Sequence, residues 1–202
     1  MERLTIETGS FGVNTSILTC ENRTWIVDPG GEAECIVELL KKKGLSPEGI
    51  MLTHAHFDHI GAVNALQAEF KDLIVVVDEA DLVMFGHPMN QMPPEYPLQA
   101  LPKNIETKDD ISSIVPFKVE IIKTPGHTPG GRSYYFPEDK LLLSGDTLFA
   151  GSVGRTDLPG GDMAVLSSSL KVLSRLPEDT YVIPGHGMHT TIGAEKRSNP
   201  FL

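Results

Sequence analysis

Apolar and polar residues alternate at two different periods along the chain, and the switches between them mark out its elements. Leu4-Thr5-Ile6-Glu7 alternates at period two, and Thr15–Leu18 and Thr24–Val27 are short strand-like runs. Residues 2–28 therefore read as strands parted at Gly9, Gly12 and Asn22. Asp28-Pro29-Gly30-Gly31 stops the last of them and opens a helix over about 32–43, with Ala33, Ile36, Val37 and Leu40 on one face. Three lysines fill its last turn and Gly44 closes it, as the helix dipole and a C-cap favour. Gly49–Thr53 is a short apolar strand, and a helix over about 59–69 turns Ile60, Val63, Leu66 and Phe70 toward a core. Leu73–Val77 reads as a buried strand and Glu79–Met84 as a short helix.

Between Gly86 and Lys103 the pattern breaks. Pro88, Pro93, Pro94, Pro97 and Pro102, interleaved with Met89, Met92 and Tyr96, predict an ordered loop or lid. Strands resume at about 111–115, 117–123, 132–136 and 140–144. Gly160-Gly161-Asp162 then caps a third helix, whose Val165, Leu166, Leu170, Leu173 and Leu176 follow a 3.6-residue period. A last strand, Thr180–Ile183, runs into Pro184-Gly185-His186-Gly187. Strand runs punctuated by single helices predict an α/β layered sandwich, its sheets covered by helices. No low-complexity stretch or linker interrupts it, so residues 1–202 are expected to form one domain.

Composition narrows the function more than the fold. With 40% hydrophobic and 22% charged residues the chain is ordinary for a globular protein. The net charge of -10, with no basic block beyond Lys41-Lys42-Lys43, argues against a nucleic-acid partner. Cys20 and Cys35 form no disulfide framework, and no apolar run approaches a membrane span. The opening Met1-Glu2-Arg3-Leu4 is not a secretory leader, so a cytoplasmic protein without a membrane or nucleic-acid partner is expected, monomer or homodimer.

The chemistry is concentrated in Thr53-His54-Ala55-His56-Phe57-Asp58-His59, where three imidazoles and one carboxylate fall within six residues. Bunched His and Asp neither pack as a core nor solvate a helix face without a bound partner. Capping of a helix by Asp58 would explain the carboxylate but not the histidines around it. The pattern reads as ligands for two metal ions sharing one site, since mixed imidazole and carboxylate sets suit zinc, manganese or iron. Three more apolar strands end on a candidate ligand: Thr124-Pro125-Gly126-His127, Ser144-Gly145-Asp146 and Ile183-Pro184-Gly185-His186. The count reaches seven, enough for three ligands per ion and one bridging carboxylate. The grouping is not readable from spacing.

These segments together resemble the metallo-β-lactamase superfamily: T-H-x-H-x-D-H, then the His of Pro125-Gly126-His127-Thr128, the Asp of Gly145-Asp146-Thr147 and the His of Pro184-Gly185-His186. The resemblance covers nearly the whole chain and implies an αββα sandwich, two mixed sheets flanked by helices, with the metals at one edge. It assigns His54, His56 and His127 to the first ion, Asp58, His59 and His186 to the second, and Asp146 to the bridge. Zinc is the first expectation for the two divalent ions, with iron and manganese as alternatives. Within the superfamily the chain is most similar to glyoxalase II, the hydroxyacylglutathione hydrolase, through Asp146-Thr147-Leu148-Phe149 and Gly151-Ser152-Val153-Gly154-Arg155. Arg155 matches a basic glutathione-contacting residue of that family, whereas Asp157 stands where the family has a Tyr. Only sixteen residues follow His186, so the C-terminal glutathione-binding helical region is not expected.

The expected activity is hydrolysis of a small acyl thioester such as S-lactoylglutathione, with a metal-bridging hydroxide attacking the acyl carbon and Asp58 orienting it. A persulfide dioxygenase is the competing class. Gly154-Arg155-Thr156-Asp157 is similar to that family, which would use one iron on His56, His127 and Asp146. A non-enzymatic metal module is a further alternative, although structural zinc sites are thiolate-rich and this set has no Cys. Three polar positions stay open in the sequence. Asp28 is either a turn residue or a partner of a ligand histidine, Arg155 either binds an anionic substrate end or pairs with Asp157, and His189 either reaches the site or does not. His87 reads as an ordinary loop residue.

Overall fold

The structure, a computed structural model, describes residues 1–91 and 96–202, so Met92, Pro93 and Pro94 of the expected loop lie outside the described residues. The first half forms a six-stranded sheet in chain order: β1 (Glu2–Thr8), β2 (Val13–Cys20), β3 (Arg23–Val27), β4 (Pro47–Met51), β5 (Ile74–Val76) and β6 (Ile105–Glu106). β1–β3 pair antiparallel and β3–β6 parallel, so the sheet is mixed. The parallel connections carry helices α1 (Ala33–Lys43), α2 (Phe57–Ile60) and α3 (Val63–Glu69), as parallel crossovers require. The second half gives β7 (Glu120–Lys123), β8 (Arg132–Phe136), β9 (Leu141–Gly145), the small hairpin β10 (Leu148–Phe149) and β11 (Ser152–Val153), α4 (Met163–Leu173), β12 (Tyr181–Pro184), β13 (Thr190–Thr191) and α5 (Ile192–Ser198). Its five-stranded sheet runs β13-β12-β9-β8-β7, with β12 and β9 parallel and the other pairs antiparallel.

The period-two pattern sorts side chains into three apolar layers. On β3 and β4, Ile26 and Ile50 face Ile36, Leu40 and Leu66 of the helices, while Trp25, Val27 and Met51 face the second sheet. There they meet Tyr134, Phe136, Leu141, Leu143 and Ile183. The opposite parity, Tyr135, Leu142 and Val182, packs on Leu166, Leu170 and Leu173 of α4 and on Ile192. The order is helices, sheet, sheet, helices: the expected αββα sandwich. Tyr134 brings a hydroxyl into the inter-sheet layer, and that hydroxyl donates to the Leu52 carbonyl at 2.8 Å, so this buried phenol is paired.

Four expectations change. The helix over 59–69 is two helices, because Ala62 N–H donates to the Pro29 carbonyl at 2.9 Å and Gly61 lies directly on the Gly30 carbonyl, where a Cβ would collide. Residues 111–115 are not a strand but a turn, Ile114 and Val115 both donating to the Ile111 carbonyl; Ile111 and Val115 still fill the inter-sheet layer. The strand over 117–123 shortens to Glu120–Lys123. Val165 is 39% exposed, so the buried face of α4 begins at Leu166. The Asp162 cap is present, accepting from Ala164 and Val165 N–H, and both cysteines are free thiols. Among the described residues no helix is long and apolar enough to cross a membrane.

Candidate metal centre

The candidate ligands gather where the two sheets meet at one edge, each at or just past the end of a strand. β4 leads into residues 52–56, where Leu52 N–H still donates to the Val76 carbonyl and the Thr53 carbonyl accepts from Arg132 N–H, while the Ala55 and Phe57 amides leave the sheet. Two buried side chains serve them instead. Asp81 accepts from Ala55 N–H at 3.0 Å, and Asn90 accepts from Phe57 N–H at 3.0 Å while donating to the Ala55 carbonyl at 2.9 Å. Asp81 also accepts from Thr128 Oγ1 at 2.9 Å and Gly130 N–H at 2.7 Å, which ties the His54–His56 loop to the His127 loop. Burial raises the Asp81 carboxyl above its ordinary range, with these three donors opposing the shift. Two glycines permit the close approach of the other loops. A Cβ at Gly145 would strike Thr53, and one at Gly185 would strike the Asp146 carboxylate.

All seven predicted ligands are brought together. Three overlapping groups have ligand atoms within 4.8 Å of one another: His54, His56 and His127; His54, His59 and Asp146; Asp58, His59 and His186. His56 Nδ1 lies 2.8 Å from His127 Nε2, and His59 Nε2 lies 3.2 Å from His186 Nε2. The Asp146 carboxylate spans the two sets, with Oδ1 3.3 Å from His59 Nε2 and Oδ2 3.4 Å from His127 Nε2 and 3.6 Å from His186 Nε2. Asp58 Oδ2 is 3.3 Å from His186 Nε2.

The outer hydrogen bonds decide which nitrogens face inward. His59 Nδ1–H donates to Asp28 Oδ2 at 2.9 Å, His127 Nδ1–H to the Arg155 carbonyl at 2.7 Å, and His186 Nδ1–H to the Phe11 carbonyl at 2.9 Å. His54 Nδ1–H reaches Thr53 Oγ1 at 3.1 Å, and that hydroxyl donates on to Asp28 Oδ2 at 2.6 Å. With Nδ1 protonated in each ring, four Nε2 lone pairs point at the centre. His54 Nε2 and Asp146 Oδ1 are buried with no hydrogen-bond partner. Converging, unprotonated nitrogens and an orphaned carboxylate oxygen are costly unless a cation lies among them. The residues present therefore fit divalent metals, and the donor set of imidazole and carboxylate suits zinc, iron or manganese alike.

Electrostatics carry the same demand. Burial, then crowding by His59, His56 and His127, pushes His54 well below the ordinary imidazole range, and burial with His127 pushes His56 down to about 3. Burial opposes charge on His59 too, but Asp146 and Asp28 override it and raise His59 well above 6.5. Asp58 is buried yet held below its ordinary value by the hydrogen bond with His186 and the charge of His59. Asp146 is likewise depressed, burial being outweighed by His59 and His127. Carboxylates stay ionised here and draw a proton onto His59 where a metal ion would supply the positive charge.

The open positions resolve into contacts. Asp28, in a left-handed conformation at φ 48°, accepts from Thr53 N–H, Thr53 Oγ1 and His59 Nδ1–H, and so is a partner of a candidate ligand histidine. Arg155 is exposed and paired side-on with Asp157 at 2.7 and 2.8 Å, while its carbonyl orients His127. His189 accepts or donates at the Tyr181 hydroxyl, 2.9 Å away, and does not bond a ligand. Asp81, Asn90 and the Phe11 carbonyl have no signal in the sequence: an isolated acid or amide looks like any surface residue, and a carbonyl carries no side-chain mark. Beside the centre, His56 also lines an apolar cleft of about 280 Å³, walled by Phe57, Val83, Met84, Leu158 and Pro159.

Comparison with known proteins agrees with this geometry. The family model described as the metallo-beta-lactamase superfamily matches residues 8–186. The hydroxyacylglutathione hydrolase GloC of Haemophilus influenzae is 38% identical over 96% of this chain and 94% of its own length. Among solved structures, the BLEG-1 B3 metallo-beta-lactamase superposes with a TM-score of 0.91 at 38% identity, covering 100% of this chain and 99% of that one. TTHA1623 in a di-iron-bound form gives 0.89 at 39% identity over 98% of this chain and 100% of that one.

Proposed function

The chain belongs to the metallo-beta-lactamase superfamily, and from that premise we propose that it is a two-metal hydrolase of small acyl thioesters such as S-lactoylglutathione. The observation that carries the reading is the pair of donor sets at one sheet edge, His54, His56 and His127 beside Asp58, His59 and His186, spanned by Asp146. Two divalent cations held by these residues would supply Lewis acidity toward an acyl carbonyl and would lower the pKa of a bound water toward neutrality. Asp58, held below the ordinary carboxylate range, would accept a hydrogen bond from the attacking water and fix its direction at the acyl carbon. The Nδ1–H bonds to Asp28, Arg155 and Phe11 hold the imidazole rings against rotation, so the reacting groups meet a preorganised site. A thiolate leaves with a parent thiol pKa near ~8.5, so expulsion needs no general acid. Arg155, exposed and paired with Asp157, would meet an anionic end of the thiol by exchanging that partner.

Support from GloC is for the glutathione thioester, and from TTHA1623 for iron as an alternative to zinc. The second donor set favours two ions over the single iron of a dioxygenase. The likeness to BLEG-1 favours one other substrate class, a β-lactam. Metal content measured with thiol release from S-lactoylglutathione tests the proposal: two metals per chain and metal-dependent thiol release are expected. One iron per chain with oxygen uptake on glutathione persulfide would replace it with the dioxygenase, and turnover of nitrocefin above that of any thioester would replace it with the lactamase.

A further inference from the structure

The cleft beside His56 has a chemistry of its own. Its walls are Phe57, Val83, Met84, Leu158 and Pro159, and among the described residues no Asp, Glu, Lys or Arg lines it. Asn90 lies on the lining, yet its amide is spent on the backbone: the oxygen accepts from Phe57 N–H, and the nitrogen donates to the Ala55 and Met84 carbonyls at 2.9 and 3.2 Å. Val83 stands 67% exposed on this wall, an apolar side chain left in water by the fold. Arg155, on the loop that leads to Leu158, pairs with Asp157 and does not line the cleft. A γ-glutamyl tripeptide, with two carboxylates and an ammonium, finds few charged partners in such a wall, where His56, His87 and Asn90 are the polar side chains among the described residues.

We propose that this cleft is the acyl-chain subsite, and that it selects unbranched aliphatic acyl thioesters of about four to eight carbons over lactoyl. The proposal rests on the thioesterase reading above for its chemistry. His56 belongs both to the donor cluster and to the lining of the cleft, so an acyl carbon at the centre has the wall of Phe57, Val83 and Leu158 beside it to take its chain. The volume of about 280 Å³ is at the small end of ligand sites, which suits a chain and not a bulky ring system. Each methylene buried there contributes about fourfold in kcat/KM, from the usual transfer free energy of a CH₂.

The test is a chain-length series with the thiol held constant: S-acetyl-, S-lactoyl-, S-butanoyl- and S-hexanoyl-glutathione on metal-loaded protein. Calorimetric binding of hexanoate and of lactate runs beside it and does not depend on turnover. The expected result is kcat/KM rising about fourfold per methylene, with hexanoate binding detectably tighter than lactate. In Val83→Asp, the hexanoyl-to-acetyl ratio and the hexanoate affinity should both fall by at least about tenfold. Turnover with a flat series, or with lactoyl preferred, and equal binding of both acids would overturn the subsite while leaving the thioesterase standing. No turnover of any member, with hexanoate binding lost in Val83→Asp, would sink the thioesterase and keep the subsite. Rates that follow the apolarity of the thiol in a second series, at fixed acyl group, would give the cleft to the leaving group and overturn the proposal.

Discussion

Asp28→Asn isolates how the buried carboxylate behind the centre acts on it. Asparagine tolerates the left-handed conformation at φ 48°, so the backbone is not disturbed. The amide can present its oxygen only once. Placed at Oδ2, it keeps Thr53 Oγ1 and His59 Nδ1–H as donors, but its NH₂ then faces Thr53 N–H, formerly bonded to Oδ1 at 2.8 Å. That donor-to-donor contact costs about 1–3 kcal/mol of folding stability. The His59 bond also falls from carboxylate to neutral strength, about half, which lowers the basicity of Nε2 where a cation would bind. Loss of such an outer partner typically weakens metal affinity about 10–100-fold, equivalent to about 1.4–2.7 kcal/mol. Thr53→Val supplies the contrast: it strips the hydroxyl that receives His54 Nδ1–H and leaves the His59–Asp28 bond in place. Competition titration against a chromophoric chelator, reading both binding steps, should show the step involving His59 weakened most in Asp28→Asn and that involving His54 weakened most in Thr53→Val. Melts of the metal-free proteins give the stability change separately. Wild-type affinity at both steps in Asp28→Asn, or the same loss at the same step in both variants, would refute the division of roles.

Four further outcomes follow from the same contacts. Asp58→Ala should lower thioester turnover by at least about 100-fold with an unchanged far-ultraviolet spectrum; retained turnover would remove Asp58 from the reaction. Asp157→Ala should lower KM for S-lactoylglutathione by freeing Arg155, and Arg155→Ala should raise it, each by roughly up to fivefold given the strength of exposed ion pairs; unchanged KM in both would take Arg155 out of the substrate site. The metal-free protein should be most stable near pH 6.5 by urea midpoint. Below that pH the unfolded chain protonates His54 and His56, which the fold holds neutral, so stability falls toward about 3; above it the gain from His59 and His186, both held above the ordinary value, is lost. A midpoint that climbs steadily on acidification would contradict the buried, unprotonated pair. Gly49→Ala should cost about 1–3 kcal/mol, because its Cβ would enter the buried Trp25 ring, and lower the melting temperature by roughly 3–10 °C; an unshifted melt would mean that Trp25 moves freely.

The parts of the fold that could be read from the chain are those whose residues repeat a physical rule. Trp25, Ile26 and Val27 alternate between layers because a strand has two faces, and Leu166, Leu170 and Leu173 share one because a helix turns every 3.6 residues. Two-residue strands such as β6 and β13 hold no full period, so nothing distinguishes them from loops. Residues 111–115 misled for the converse reason: Ile111 and Val115 are apolar and buried, but burial from a turn carries the same side chains as burial from a strand. At the centre, His54, His56, Asp58 and His59 were visible because they are dense in sequence, and His127, Asp146 and His186 because each follows a strand and a glycine. Asp81 and Asn90 were not, since what they hold is backbone brought to them from 26 and 35 residues away.

The donors come from both sheets, His54 to His59 from the loop after β4 and His127, Asp146 and His186 from the ends of β7, β9 and β12. A cation among them is a staple across the sandwich. It stabilises the folded chain by mass action, in proportion to the logarithm of free metal over its dissociation constant, and it can close only after both sheets have formed, since His59 and His186 are 127 residues apart. Metal capture is thereby placed late in folding, after the slow long-range pairing. Supplying metal should then slow unfolding far more than it speeds folding, so that this edge of the sandwich sets how long the protein survives once made, and metal supply sets the edge.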